Sequence, residues 1–315
     1  MLKLRSSVQC PIKKSTFLLL LDKKLNIKPD TLIKILLNKS KYYYSFDIPK
    51  ADGSTRIITP SLAPLKSIQG TAKLFIDSIL KWPAYLHGGI PRRSVLTNVK
   101  VHVGRYMVTN LDVRKCFPNT SGEMVREALC DIGFSDELAE LITDICIYKD
   151  CLPQGAPTST NIVNIVLNKI DRNLYYYCKR HKFKYTRFVD DITISADCDL
   201  RGYKNKFSDG ILAVGYKISK YSALPKTKAQ VVTGLTVNRQ ARPTKAYLKQ
   251  LKDDIKSGWP ENDMMQLTAD MYGLTMNQLR ANIWGRINFV KSINKKHGRQ
   301  MRSLMTKVLW RNKDQ

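Results

Sequence analysis

The sequence predicts an α+β fold. Three observations carry this: apolar residues recur at helical spacing near both ends of the chain, short β-prone runs cluster in the middle, and no internal repeat, low-complexity tract or Gly/Ser linker separates them. The 315 residues suffice for about two domains, or for lobes of one larger fold. Hydrophobic residues make up 43%, enough for a sizeable core, which excludes wholesale disorder.

The elements follow in order. Leu32, Ile33, Leu36 and Leu37 have helical spacing after a Pro29-Asp30 start signal. Tyr42 to Ile48 and Thr55 to Thr59 are β-rich runs around Asp52-Gly53, which reads as a hairpin. Leu65 to Leu80 is helical again. A strand is expected from Tyr106 to Val113, then helices over about 121–132 and 136–149. In the second of these, Leu138, Leu141, Ile142 and Ile145 form one apolar stripe. Leu152 to Pro157 is a turn, and a long helix is expected from about Ser159 to Arg180, with Ser159 or Thr158 as its N-cap. Tyr185 to Val189 and Ile192 to Ala196 are short strands around Asp190-Asp191, and Val231 to Val237 is a later strand. Near the C-terminus, Leu279, Ile283, Ile287 and Val290, then Met301, Leu304, Met305 and Val308, mark two amphipathic helices.

Charge divides the chain differently. The net charge is +27. Residues 1–107 carry 19 basic and 5 acidic side chains, residues 108–239 carry 19 and 15, and residues 240–315 carry 15 and 6. A nearly neutral middle is therefore flanked by two basic ends. Solvated, soluble surface is the plain alternative reading of this charge. The sharper reading is a polyanionic partner, nucleic acid, held by basic arms. Carboxylates repel phosphate unless a cation intervenes, so the acidic middle calls for metal ions. No apolar run approaches the roughly 20 residues of a membrane span. The run Phe17 to Leu21 is too short for a secretory signal and meets Asp22, Lys23 and Lys24 at once. Seven cysteines without a CxxC pair indicate neither a zinc site nor a disulfide framework, and reduced thiols in a cytoplasmic protein are expected.

Three segments carry chemistry. In Tyr185-Thr186-Arg187-Phe188-Val189-Asp190-Asp191-Ile192, two adjacent carboxylates are bracketed by β-prone residues. Strand neighbours point to opposite faces, so a tight turn is needed to bring both acids to one site. Bound Mg²⁺ neutralises such a pair. An ordinary solvated turn is the plain alternative, and Asp253-Asp254, in a polar helical stretch, is expected to be one. In Leu111-Asp112-Val113-Arg114-Lys115-Cys116-Phe117, an acid at a strand end precedes an aromatic by five residues. In Leu152-Pro153-Gln154-Gly155-Ala156-Pro157-Thr158-Ser159, a rigid turn exposes an amide at a helix entry.

Together and in this order, the Asp112 strand, the PQGxPxS turn-helix and the xxDD hairpin resemble the signature of reverse transcriptases, over roughly residues 50–240. The resemblance implies a right-hand polymerase with fingers over 1–105, a ferredoxin-like palm over 106–238 and a basic helical thumb over 239–315. Asn98-Val99-Lys100-Val101-His102 resembles the NAxxH element of retron reverse transcriptases, and Val232-Thr233-Gly234-Leu235 their VTG element. The hairpin reads Phe188-Val189 where the family usually has Tyr-Ala, which removes a phenolic hydroxyl and adds bulk.

The resemblance also implies a mechanism. Nucleotide addition is phosphoryl transfer assisted by two Mg²⁺ ions about 3.5–4 Å apart. Asp112 and Asp190 would bridge the ions, Asp191 would be the third acid, and Val113 would lend its backbone carbonyl. Phe117 would be the steric gate against a 2′-hydroxyl. Gln154 and Gly155 would lie against the nascent pair, Arg56 would grip the triphosphate, and Lys220 would protonate pyrophosphate. Asn98 and His102, with Arg280, Arg286, Lys291, Lys295, Lys296, Arg299 and Arg302 of the thumb, would contact RNA. The implied partners are dNTPs, a cognate structured noncoding RNA that is template and primer, its DNA product, and a separate effector protein in antiphage defence, with no membrane. Priming would start at an internal guanosine 2′-hydroxyl. The rivals are another bacterial reverse transcriptase, group II intron-like or from a non-retron defence system, and a non-catalytic RNA-binding protein with a polymerase fold.

Overall fold

A computed structural model of the chain describes residues 2–5, 7–49, 53–259 and 264–308. The polypeptide packs as two units, one of residues 1–101 with 106–225, the other of residues 102–105 with those from 226 on. In chain order the first unit contains β1 (Lys3–Leu4), α1 (Lys14–Leu25), α2 (Pro29–Leu37), β2 (Phe46–Pro49), β3 (Thr55–Ile58), α3 (Leu65–Ile79), β4 (Leu80–Lys81), α4 (Val95–Lys100), β5 (Met107–Val113), α5 (Gly122–Asp131), α6 (Asp136–Cys146), α7 (Ser159–Val166), α8 (Asn168–Arg180), β6 (Lys184–Phe188), β7 (Asp191–Ala196), α9 (Lys204–Leu212) and β8 (Ile218–Pro225). The second contains β9 (Val231–Val232), β10 (Leu235–Thr236), β11 (Arg242–Pro243), α10 (Lys245–Lys256), α11 (Met265–Met271), α12 (Met276–Ile293) and α13 (Lys295–Met305).

Local chemistry sets several helix starts. The hydroxyls of Ser121 and Ser135 accept from the backbone N–H of Met124 and Leu138, fixing where α5 and α6 begin. Thr275 and Gln278 form a reciprocal capping box at the head of α12. The apolar stripes then bury. Leu138, Leu141, Ile142 and Ile145 of α6 join Ile68, Ala72, Phe75 and Ile76 of α3 in one core. Each fully buried Leu or Ile contributes about 1.5–3 kcal/mol.

The central sheet of the first unit is antiparallel, in the order β6-β7-β5-β8. The chain path strand, helices, two strands, helix, strand gives that order the split βαβ arrangement of ferredoxin-like folds. Helices α8 and α9 pack on β6 and β8. A separate hairpin pairs β2 with β3. Its turn residue Asp52 lies outside the described residues. In the second unit, Leu251, Ile255, Leu279, Ile283, Ile287, Val290, Met301 and Met305 form a core of their own. No described helix is long and apolar enough to cross a membrane.

Four expectations are corrected. The long helix over 159–180 is two helices, α7 and α8, that meet at Leu167, where ψ is −3°. Neither candidate N-cap works as one: Thr158 makes no capping bond, and the Ser159 hydroxyl donates to the Pro153 carbonyl. The strand over 231–237 is a tight hairpin of β9 and β10, turned at Thr233 and Gly234, both with positive φ. The fourth concerns coverage: α9 and β8 lie outside the expected elements, and β8 is an edge strand.

Candidate active site

The site is built on β5 and on the β6–β7 hairpin. Register sets it: Asp112 of β5 is the cross-strand partner of Asp191 of β7. Directly opposed residues present side chains to the same face of a sheet. Asp190 occupies the hairpin apex, and its carbonyl accepts from the Val113 N–H at 3.2 Å. The three acids, distant in sequence, thus meet at one end of the sheet. The apex is tight. Val189 sits at φ +61°, a conformation that costs energy in a β-branched residue.

The acids are held in an unfavourable state. Burial raises the Asp191 carboxyl to about 7, with further upward push from Asp112 and Asp190 and relief from Lys220. Asp190 is also raised, first by burial and then by Asp112, against its own backbone hydrogen bond and the charges of Arg56 and Arg187. Among the described residues none of the three acids forms an ion pair. A cluster of carboxylates that raise one another is chemically suited to divalent cations, which prefer oxygen donors. The side chains are not arranged as a ready cage, however. No three His, Cys, Asp or Glu groups among the described residues stand as metal ligands. The Ser219 hydroxyl donates to the Asp112 carboxylate.

Other residues singled out from sequence gather here. Lys220 of β8 is the cross-strand partner of Asp112 on its other side. Arg56, exposed on β3, is near enough for its charge to be felt at Asp190. The Gln154 carbonyl accepts from the Thr59 N–H at 2.6 Å, tying the Pro-Gln-Gly turn to the end of that strand. Gly155 has φ +114°, and a Cβ there would come 3.0 Å from Ile58 Cγ2, so both backbone shape and space call for glycine. Phe117 is half-buried in the loop after β5, which Asn119 closes by donating to the Arg114 carbonyl at 3.0 Å.

Some expected RNA contacts are corrected. Asn98 and His102 are fully buried, so neither presents a side chain to a ligand at the surface. Arg286 is largely buried too, and its guanidinium pairs with Asp254. The remaining basic residues of α12 and α13, Arg280, Lys291, Lys295, Lys296, Arg299 and Arg302, are exposed. Sequence reasoning missed Ser219, Gly88 and the buried Arg187, Asp171 and Asn164. The available signal was Arg187 itself, a cation within a short β-prone run. Gly88 packs on the hairpin: a Cβ there would lie 2.5 Å from Val189 Cγ2 and 2.6 Å from the Val189 backbone nitrogen.

Comparison with known proteins places the chain in a family. Residues 48–230 match the family model for reverse transcriptase (RNA-dependent DNA polymerase). The chain is 29% identical over 231 residues to the retron Mx65 reverse transcriptase of Myxococcus xanthus, covering 64% of this chain and 54% of that one. It is 29% identical over 179 residues to the retron Ec86 reverse transcriptase of Escherichia coli, covering 56% of each. With the retron Ec83 reverse transcriptase of Escherichia coli the identity is 26%, over 86% of this chain and 91% of that one. The match therefore spans about half the length of the first two relatives and most of the third. The chain belongs to the reverse transcriptase (RNA-dependent DNA polymerase) family, and the relatives it resembles are retron reverse transcriptases.

Proposed function

We propose that this chain is the RNA-directed DNA polymerase of a retron, copying part of a cognate structured noncoding RNA into DNA. The observation that carries the reading is the register that sets Asp112 against Asp191, with Asp190 at the adjoining apex. In this reading the ferredoxin-like sheet is the palm, within 106–238, the residues before it are the fingers, within 1–105, and the helices over 239–315 are the thumb.

Two bound Mg²⁺ ions would supply the charge that offsets the attacking 3′-oxygen and the leaving pyrophosphate. The chain's own residues do the rest. Asp112 and Asp190 hold the metal site, with Asp191 beside them and the Val113 carbonyl as a further oxygen. Phe117 closes the space beneath the sugar and excludes a 2′-hydroxyl. Arg56 grips the triphosphate, and a guanidinium suits this because its fork matches phosphate oxygens. Gln154 and Gly155 bear on the nascent pair. Lys220 offsets the acids from the neighbouring strand and stands beside the leaving group. Arg280, Lys291, Lys295, Lys296, Arg299 and Arg302 track an RNA backbone by charge and shape. Priming from an internal guanosine 2′-hydroxyl, and work beside a separate effector in antiphage defence, complete the reading and rest on the likeness to retron enzymes.

The test is direct. Nucleic acid that copurifies with the chain from its native host is sequenced and probed for DNA joined to an internal RNA 2′-position. A branched RNA–DNA molecule is expected. Unbranched DNA would move the chain to another class of bacterial reverse transcriptase. Bound RNA without any DNA, joined to wild-type-like behaviour of Asp190→Asn, would leave only an RNA-binding protein.

A further inference from the structure

Beneath the acid-bearing hairpin lies a charged pair that the proposed chemistry does not use. Arg187 of β6 and Asp171 of α8 are both 0% exposed. Burying two charges costs several kcal/mol per ion unless geometry and hydrogen bonding are excellent. Here they are. Arg187 has five N–H donors, and each one has a partner. Nε and Nη2 donate to the two oxygens of Asp171 at 2.8 and 2.6 Å. Nη1 and Nη2 donate to the Asn164 side-chain and backbone oxygens at 2.9 and 3.1 Å. The remaining Nη1 donor reaches the Val189 carbonyl at 2.6 Å. Tyr185 adds its hydroxyl to Asp171 at 2.6 Å.

The last of the Arg187 bonds matters most. Val189 is the apex residue with positive φ, and its carbonyl leads directly into Asp190 and Asp191. A β-branched residue in the left-handed region strains this turn, and two acidic residues follow it directly. A turn of that kind needs an external hold. A lone cation set against the acids would supply it but would also compete with a metal ion for them. Arg187 avoids this, because Asp171 takes up its charge and it grips the apex through a backbone oxygen.

We propose that the Arg187–Asp171 pair is a neutral clamp that positions Asp190 and Asp191 for metal binding through the Val189 carbonyl. Arg187 is thus a positioning residue. The inference rests on the polymerase reading for what the acids do, but the clamp itself is tested by metal binding.

The experiment compares the full-length chain with the double variant Arg187→Met/Asp171→Leu. Replacing a buried ion pair by apolar residues of similar volume is often neutral for stability. A structural role alone would therefore leave the folded variant with normal metal affinity. The readouts are Mn²⁺ affinity by electron paramagnetic resonance, the melting temperature, and kcat and KM for dNTP on a primed template. The clamp predicts a variant that still folds, with a lowered melting temperature because Tyr185, Asn164 and Val189 lose bonds to the pair. It also predicts Mn²⁺ affinity down by ~10-fold or more, as when outer partners of metal ligands are lost, and a fall in kcat with little change in KM. Wild-type Mn²⁺ affinity and kcat in the folded variant overturn the proposal. Should the double variant not fold, Arg187→Lys decides. It keeps a cation for Asp171, but three donors from one nitrogen cannot replace the five bonds that the Arg187 fork makes to Asp171, Asn164 and Val189. Wild-type metal affinity in that variant overturns the clamp, and a loss of ~10-fold supports it. Asp190→Asn is assayed alongside. If it too is as active as the wild type, the polymerase reading fails. If it alone is inactive, only the clamp fails.

Discussion

Two Asp-Asp pairs in this chain look alike on paper and end in opposite states. Asp190-Asp191 occupies a hairpin apex in the first unit, where both acids are raised and, among the described residues, neither forms an ion pair. Asp253-Asp254 lies in α10 of the second unit. There Asp253 is exposed, whereas Asp254, 4% exposed, takes hydrogen bonds from Gln250 and Tyr272 and an ion pair from Arg286. The sequence expectation of an ordinary solvated pair holds for Asp253 and fails for Asp254. The difference teaches how to weigh an acidic dipeptide. Backbone context decides whether both carboxyls share one site: a turn brings them together, while successive helix positions diverge by about 100°. The presence of an internal cation then separates an acid whose needs are met from one suited to an external ion.

The comparison can be broken most sharply by matched substitutions. Asp190→Asn should cut Mg²⁺-dependent DNA synthesis by ~1,000-fold or more, since metal charge stabilisation contributes several kcal/mol, while RNA binding stays near wild type. Asp253→Asn should leave the rate within about twofold. Rate assays and filter binding decide, and equal effects would erase the distinction. Next in size, Arg286→Met leaves Asp254 buried without its partner and should destabilise the second unit by about 3–5 kcal/mol. Hydrogen exchange would show this as lost protection in α10 and α12, whereas an unchanged pattern would mean the pair contributes little.

A smaller effect concerns sign. Asp191 binds its proton more tightly folded, at about 7, than the ordinary 3.8. Its contribution is therefore present below the unfolded value and is lost as pH rises from about 4 to about 7. Without divalent ions, Asp191→Asn should stabilise the chain at neutral pH by about 1 kcal/mol, and should flatten the pH dependence of melting. Asp254→Asn should do the reverse and lower the melting temperature. A change of similar size is expected at Phe117: Phe117→Ala should raise use of rNTPs by ~10-fold, measured by competition with dNTPs. Unchanged sugar selectivity would remove the gate role from that ring.

Much of the acid site was legible in the sequence, because its determinants are local. Asp112 closes a β-prone run, Asp190-Asp191 interrupts another, and Gln154-Gly155 sits in a turn made rigid by Pro153 and Pro157. The mixed α+β order and the two C-terminal amphipathic helices were legible for the same reason. What stayed hidden depends on distant partners. Asp171 reads as an ordinary helical acid until β6 brings Arg187 to it from 16 residues away. Strand β8 escaped because an edge strand lacks a clean alternation, so Lys220 was found only loosely although register sets it beside Asp112. Asn98 and His102 stand out through their likeness to the NAxxH element alone, and their burial is not visible in a linear pattern.

Gly88 has a consequence for anyone who screens this chain by saturation mutagenesis. It bears no chemistry, lies about a hundred positions upstream of the acids and belongs to none of their motifs. Yet the room that any β-carbon would need is already filled by main-chain atoms of residues 188 and 189. Every replacement, alanine included, must shove the turn aside, and trimming Val189 to a smaller residue cannot restore the lost room. Position 88 should therefore score as intolerant as a metal ligand, and a map of such scores would draw the outline of the active centre wider than its chemistry.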